Sequence, residues 1–291
     1  MKKSLLFLVL GALILASVTS CKKDPQTEAL KNKKIATISY SEDAMTRIPL
    51  ANFNWNDKNL LKSIELMEYS GAVELVVNFA YENNLVTSID CFQYSINMAL
   101  NYQDKKLDQL TLCFTGDTIA TGDVTFDDDK VSMLTVTIYD EEKLQQCSPF
   151  LNALAITVPQ ELQKPFAQFM HQVVANHQSK EEYKVNAQFT WDGDNVSKIY
   201  ASGLGYSITA NLTYDSKTNP LYGFMSLFGC SFPKNNPTQA TAIIGYDKVN
   251  AVISYQYDED EYPVQLSAYL YDPANPTESH EQTPIFFIDY K

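Results

Sequence analysis

The chain has 291 residues, of which 45% are hydrophobic and 20% are charged, and its formal net charge is −13. This composition excludes a disordered tail, a collagen and a helical membrane bundle, and it indicates a globular protein. The acidic balance argues against a nucleic-acid binder, because the sequence has no basic stripe that would neutralise phosphates. The composition favours β-structure, because it includes 18 tyrosines, 15 phenylalanines and only 10 glycines.

The N-terminal residues have the pattern of a bacterial signal peptide. Lys2 and Lys3 form a short basic region, and the apolar residues 5–15 follow them. This stretch is too short to span about 30 Å of hydrocarbon as a helix. We therefore expect residues 1–20 to be removed on export.

The motif Val18-Thr19-Ser20-Cys21 resembles the lipobox of bacterial lipoproteins. In that family the cysteine thiol is joined to diacylglycerol and the peptide is cut just before it. The resemblance implies that Cys21 is the lipidation site and that acyl chains such as palmitate hold the mature protein to a membrane. The alternative is an ordinary secretory signal with a chance cysteine.

The polar residues that follow are expected to form a flexible tether, which gives a lipidated cysteine and tether over residues 21–34. Lys22 is not the aspartate associated with inner-membrane retention in some bacteria. The expected location is therefore the bacterial cell envelope, with the outer membrane favoured.

A loose repeat predicts β-hairpins along the mature chain. In each copy an aromatic residue closes one strand, an acidic or amide turn follows, and an aliphatic residue opens the next strand. The spacing within each run is roughly 21 to 26 residues, which suits one hairpin. Alternation of apolar and polar residues also predicts strands at 94–102, 183–191, 206–214 and 249–257. The repeat copies are residues 53–60, 79–85, 100–107, 124–131, 189–196 and 212–215.

One segment departs from this pattern. Between about 148 and 179 the apolar residues fall at helical spacing, which predicts a short helix and then a longer one at about 165–177. We therefore predict a single β-rich domain over residues 35–291, with a helical insertion at about 148–179.

The predicted fold class is mainly β: a long antiparallel meander of roughly 14 to 16 strands that curls into a barrel or half-barrel around one helical insertion. The apolar face of the strands could point inward, giving a water-soluble barrel. It could instead face lipid, as in an outer-membrane barrel. Lipidation favours the inward arrangement, since an integral barrel would not need an acyl anchor.

The lipobox, the lysine-rich tether and strand-turn units such as residues 191–199 resemble an uncharacterised group of Bacteroidota lipoproteins. The resemblance covers most of the mature chain and implies a porin-like β fold. It implies no activity and no catalytic residue. The aromatic–aspartate turns are also similar to those of tyrosine–aspartate repeat proteins.

The other cysteines are Cys91, Cys113, Cys147 and Cys230. Cys91 and Cys113 occupy similar places in successive hairpins, so two strand spacings of 4.8 Å would separate them by about 9.6 Å. A disulfide requires Cα atoms within about 7 Å. We expect buried free thiols.

The sequence predicts no metal and no cofactor. His171 and His177 point to different faces of the predicted helix, and His280 lies in a polar loop. The acidic clusters are explained by the backbone demands of hairpin turns, although weak Ca²⁺ binding is an alternative. These clusters are residues 127–129, 192–195 and 258–261.

Catalytic motifs are also absent from the sequence. Four aromatic residues could stack on sugar rings if exposed, but their positions on the apolar face of the strands favour core packing. We therefore expect a non-enzymatic envelope protein that binds a ligand or partner, such as a glycan or an envelope protein. The alternatives are a structural component of an outer-membrane complex and a hydrolase with dispersed carboxylates. The four aromatic residues are Trp55, Trp191, Tyr206 and Tyr222.

Overall fold

The computed structural model describes most of the chain from residue 33 onward. Within the described residues the chain forms seventeen strands, two short α-helices and two 3₁₀ turns. The described residues are 33–41, 45–68, 70–147, 182–203, 206–229, 233–244, 247–271, 281–282 and 285–291. The strands are β1 Ile35–Ser41, β2 Ile48–Trp55, β3 Leu61–Met67, β4 Val73–Glu82, β5 Leu85–Cys91, β6 Ile96–Gln103, β7 Lys106–Phe114, β8 Asp117–Asp127, β9 Lys130–Ile138, β10 Tyr183–Asp192, β11 Asn195–Gly203, β12 Tyr206–Thr218, β13 Asn235–Ile244, β14 Asp247–Tyr257, β15 Pro263–Tyr271, β16 Glu281–Gln282 and β17 Ile285–Tyr290. The helices are α1 Glu141–Gln146 and α2 Tyr222–Met225, and the 3₁₀ turns are Phe92–Tyr94 and Ser226–Phe228.

The strands form a single antiparallel meander that closes on itself. From β1 to β16 each strand pairs with the next along the chain, and β1 also pairs with β17. β16 and β17 both pair with β15, at successive positions, so they act as one interrupted strand. The result is a closed barrel with sixteen strand positions. The predicted fold class is confirmed, and the barrel is complete rather than half-open.

The predicted helical insertion at about 148–179 lies outside the described residues, as does the longer helix placed at about 165–177. The α1 helix ends just before this segment. One boundary differs from the prediction. Tyr94 was expected to begin β6, but it ends a 3₁₀ turn, because Ser95 adopts a left-handed conformation (φ 54°) that reverses the chain before Ile96.

The barrel has an apolar interior. In β4 the side chains of Leu75 and Val77 are fully buried, whereas Glu74 and Ala80 on the other face are exposed. The same alternation recurs around the sheet, and it brings large aliphatic residues of several strands into one core. Burial of apolar surface is worth roughly 25 cal/mol per Å², so this inward face drives the closure of the sheet. The most buried side chains are those of Leu61, Leu75, Ile89, Leu107, Leu112, Ile119, Leu134, Ile138 and Leu144.

The outer wall of the described strands is polar. Amide, hydroxyl and carboxylate side chains on neighbouring strands hydrogen bond to one another across this wall. A barrel that faces lipid needs an apolar outer band instead. Of the two arrangements expected from the sequence, the inward-facing apolar one is therefore present. The cross-strand pairs include Asn54–Ser63, Asn97–Asp90, Gln109–Asp123, Thr135–Asn186 and Thr241–Asn250.

The helices of the described ranges are too short and too polar to cross a membrane.

Connections alternate between the two ends of the barrel because the meander is antiparallel. We call the end that contains the connection from β2 to β3 the turn end, and the other the loop end. The chain enters and leaves at the turn end, where the Lys291 N–H donates to the Lys34 carbonyl at 3.0 Å. The repeat copies predicted from the sequence all lie at the turn end.

An inward ring of aromatic side chains explains the repeat. Near the ends of β2, β4, β6, β10, β14 and β17, an indole N–H or phenol O–H donates to a main-chain carbonyl near the start of the preceding odd-numbered strand. Most of these aromatic residues follow a register shift, and Asn, Asp or Gly residues in the next turn adopt positive φ. The repeat therefore encodes bulged hairpins locked by aromatic donors. The pairs are Trp55 to Ile35, Tyr81 to Leu61, Tyr102 to Val86, Trp191 to Val131, Tyr255 to Pro237 and Tyr290 to Pro263.

A lid formed by residues 219–229 covers part of the turn end. It follows β12, where the repeat copy at 212–215 leads into this longer connection rather than into a tight turn. The Phe224 ring meets the rings of Trp55 and Phe79 edge-on, with centroids 6.2 and 5.6 Å apart. The Leu107 N–H donates to the Gly229 carbonyl at 3.3 Å and fastens the end of the lid to β7.

Replacing Gly229 by alanine is expected to detach the lid. Gly229 has φ +64°, and a Cβ there would lie 2.5 Å from the Lys105 carbonyl oxygen. Gly71→Ala is the matched control, because Gly71 also has positive φ but faces open space. We expect Gly71→Ala to lower the free energy of unfolding by about 1–2 kcal/mol, the cost of left-handed backbone. Gly229→Ala should lower the free energy of unfolding, measured by urea denaturation, by clearly more. Equal losses of stability in the two variants would contradict the close approach of Gly229 to the Lys105 carbonyl.

Candidate binding cleft at the turn end

An open cavity of about 920 Å³ lies at the turn end, between the β8–β9 turn and the last residues of β10. Register pairing of β9 with β10 places these two segments side by side, although they are about 60 residues apart in sequence. We call this cavity the Trp191 cleft. It is lined by Asp127, Asp128, Asp129, Lys130, Val131, Ser132, Phe189, Thr190 and Trp191.

The indole of Trp191 is held rigidly in the wall of the cleft. Its Nε1–H donates to the Val131 carbonyl at 2.9 Å. The Lys130 ammonium lies 5.9 Å from the ring centroid and also donates to the Gly193 carbonyl. A cation over an aromatic face is attracted by the ring quadrupole. The cleft therefore contains a fixed aromatic wall with an ammonium beside it.

Carboxylates of the β8–β9 turn also line the cleft. The Lys106 ammonium pairs with Asp129 at 2.8 Å and donates to the Asp128 carbonyl at 2.9 Å, which fixes the turn. The carboxylates of Asp127 and Asp128 form no ion pair with the described residues. They are free to accept hydrogen bonds from a ligand. An aromatic wall with a few convergent polar groups is the usual make-up of a small-molecule site.

The other two acidic clusters stabilise turns. In residues 258–261, Asp258 Oδ1 accepts hydrogen bonds from the N–H groups of Asp260 and Tyr262. Burial would raise the pKa of Asp258, but the Lys33 ammonium at 2.8 Å and these N–H groups outweigh it, so its pKa lies below its usual range. In residues 192–195 the Asp194 carbonyl accepts from the Lys234 N–H. Both clusters lie in hairpin turns, as expected from the sequence.

Metal and thiol chemistry has little support in the described part of the chain. No group of three histidine, cysteine or carboxylate side chains there could hold a metal ion. Cys91, Cys113 and Cys147 are free, but Cys113 faces outward and is half-exposed rather than buried. The expectation of a buried thiol was wrong there, because register places Cys91 and Cys113 on opposite faces of the sheet. Cys21, Cys230, His171, His177 and His280 lie outside the described residues.

The four aromatic residues singled out from the sequence differ in their surroundings. Trp55 and Trp191 pack against the core and Tyr222 is buried, so the prediction of core packing is confirmed for these three. The side chain of Tyr206 is outside the described set. Sequence reasoning missed that Trp191 also lines a cleft. The repeat copy at 189–196 indicated the hairpin that contains Trp191. The rest of the cleft lining comes from the β8–β9 hairpin, which the local pattern does not connect to Trp191.

Lys34 is a second feature of the turn end that the sequence did not predict. Its side chain is buried where the chain enters the barrel, with the ammonium 5.2 Å from the Trp55 ring centroid. Removal from water disfavours the charged form, and it lowers the pKa of Lys34 from 10.5 to about 8.

This lowered pKa predicts a pH-dependent stability. Between pH 8 and 10.5 the unfolded chain binds a proton at Lys34 and the folded chain does not. The free energy of unfolding should therefore rise with pH across this window, by at most about 1.4 kcal/mol per pH unit from this group. Urea denaturation of the native chain and Lys34→Met at pH 7.5 to 9.5 measures the difference. The variant should lack this rise, and parallel profiles would contradict the buried lysine.

Comparison with known proteins agrees with the barrel. No protein-family model and no curated protein matches the chain. A porin-like protein from Bacteroides uniformis ATCC 8492 is similar in structure, with a TM-score of 0.56 and 9% identity over 89% of this chain and 98% of that one. A porin-like protein from Bacteroides vulgatus ATCC 8482 has a TM-score of 0.53 and 8% identity over 89% and 99%. The porin-like β fold implied by the resemblance is confirmed. At this identity the likeness shows the fold alone.

Proposed function

We propose that the chain is a lipid-anchored, non-catalytic protein of the bacterial cell envelope that binds a sugar-containing ligand in the Trp191 cleft. The observation on which this rests is the cleft itself: a rigid indole and two carboxylates that form no ion pair with the described residues line the same open volume of about 920 Å³. Indole rings pack against the C–H faces of sugars, and carboxylates accept hydrogen bonds from their hydroxyl groups.

A pore function has less support than binding. The inward side chains of the described strands, such as Leu75, Leu112 and Leu134, are almost fully buried, and the lid covers part of the turn end. A water-filled channel needs a polar lining. Here the polar residues line the outer wall instead.

Catalysis also has less support. A hydrolase with paired carboxylates needs a general acid whose pKa is raised. The side-chain hydrogen bond from Lys143 holds the pKa of Asp117 below its usual range, and Asp258 shifts in the same direction. These are the shifts of carboxylates in stabilising ion pairs.

The proposed anchor would hold the turn end near the membrane. Lys33 enters the barrel at the turn end, 12 residues after Cys21. A fully extended segment of this length reaches about 40 Å. With lipid at Cys21, Lys33 and the part of the turn end around it would lie within that distance of the bilayer, which we place at the outer membrane.

Asp128→Asn tests the cleft, and Asp104→Asn is its matched control. Both aspartates occupy left-handed turn positions, at φ 54° and 50°, that asparagine also tolerates, but only Asp128 lines the cleft. Binding of neutral and N-acetylated tetrasaccharides to the detergent-solubilised chain is measured by calorimetry. Asp128→Asn should weaken binding about tenfold, the cost of a lost charge-assisted hydrogen bond. Asp104→Asn should bind as the native chain does. Equal binding by both variants, or no saccharide binding at all, would refute the cleft as a sugar site.

Cys21→Ser tests the anchor. Diacylglycerol is joined as a thioether to the cysteine sulfur, which serine lacks. The variant should therefore lose all labelling by an alkyne-tagged palmitate in growing cells. Cys113→Ser is the control, because Cys113 is an outward-facing cysteine of β7 and its loss should leave labelling unchanged. Labelling that survives in Cys21→Ser would place the lipid elsewhere.

A further inference from the structure

Exposed apolar side chains are concentrated at one end of the barrel. Each large hydrophobic residue that is strongly exposed in the described ranges belongs to a connection or strand terminus at the loop end. The outer wall between the two ends is polar, so this distribution is not a general property of the surface. The residues are Met45, Val73, Phe92, Tyr139 and Ile243.

Two of these residues belong to a continuous outward surface on β3, β4 and the following 3₁₀ turn. A register shift between Leu66 and Met67 pairs Val73 with Met67, which puts Val73 on the outer face, and Val76 lies further along that face of β4. Gln93 Oε1 accepts a hydrogen bond from the Val76 N–H at 2.9 Å, which holds the Phe92 turn against β4. Phe92 is 75% exposed and Val73 is 47% exposed. We call Met67, Val73, Val76 and Phe92 the loop-end patch.

Carboxylates surround this patch. Glu65 lies directly across from Val76, Glu74 is exposed beside Val73, and Glu68 follows Met67. None of the three forms an ion pair with a lysine or arginine of the described chain, whereas the lysines at the turn end pair with the aspartates there. The patch therefore combines an exposed phenylalanine with uncompensated negative charge.

We infer that the loop-end patch docks a partner protein that presents apolar side chains flanked by lysine or arginine. Apolar contact around Phe92 supplies the anchor, and Glu65, Glu68 and Glu74 select a basic rim. An anionic bilayer is repelled by the same carboxylates, and a second copy of this chain would bring like charges together. This surface lies at the opposite end from the Trp191 cleft, so the inference is independent of the proposed function.

The test measures the affinity of a fluorescent amphipathic peptide of leucine and lysine for the full chain by fluorescence anisotropy. A peptide of leucine and glutamate with the same pattern is the charge control. We expect saturable binding of the lysine peptide only, weakened by added salt. The double variant Val73→Ser/Phe92→Ser should weaken binding by about tenfold or more, because an exposed aromatic anchor is lost. Glu74→Lys should weaken it as well.

Ile243→Ser is the matched control, because Ile243 is an exposed apolar residue at the same end on a distant strand, 40% exposed. It should leave peptide binding unchanged. Equal weakening by Ile243→Ser, or none by the double variant, would overturn the assignment. So would Phe92-dependent binding to phosphatidylglycerol vesicles, which would identify lipid as the occupant. Phe92-dependent self-association in sedimentation would identify a second copy instead.

Discussion

Closure of the sheet is the constraint on which the rest of the structure depends. The pairing of β1 with β17 leaves no free edge among the described strands, so the backbone donors and acceptors of the meander are satisfied within the ring. Closure also separates the two faces of each strand, because one face turns inward all the way round. The apolar face is the inner one, and the polar outer wall follows from the same alternation.

The ends of the barrel differ because closure leaves only the connections free to vary. At the turn end the strands are fastened by side chains: indole and phenol groups donate to main-chain carbonyls, and lysines neutralise aspartates in the turns. At the loop end, Phe92 and Val73 are exposed beside unpaired glutamates. The turn end is thus fastened by side-chain hydrogen bonds and ion pairs, and the loop end presents apolar and acidic groups to its surroundings.

The aromatic ring shows how one residue type can serve both stability and recognition. Trp55 and Trp191 occupy equivalent places in two hairpins. Each donates its indole N–H to a main-chain carbonyl at the start of a strand, Ile35 in β1 and Val131 in β9. Trp55 is covered by Lys34 and by Phe224 of the lid. Trp191 lines an open cleft instead. The two indoles therefore differ in accessibility because Lys34 and Phe224 contact Trp55.

The sequence by itself determined the strands, their inward faces and their turns, because these depend on neighbours within about ten residues. Alternation from 183 to 191 and the aspartate-glycine turn after it were sufficient to define the β10–β11 hairpin. It also indicated a barrel, since a meander of that length must curl. It did not decide between a closed and a half-open sheet, because the β1–β17 pairing joins residues 250 positions apart.

Only the tertiary structure decided the sites. The Trp191 cleft requires the β9–β10 register across the insertion, and the loop-end patch requires the Phe92 turn to fold onto β4 through Gln93. Such placements depend on long-range pairing and on single bulges, which leave no periodic trace in the sequence.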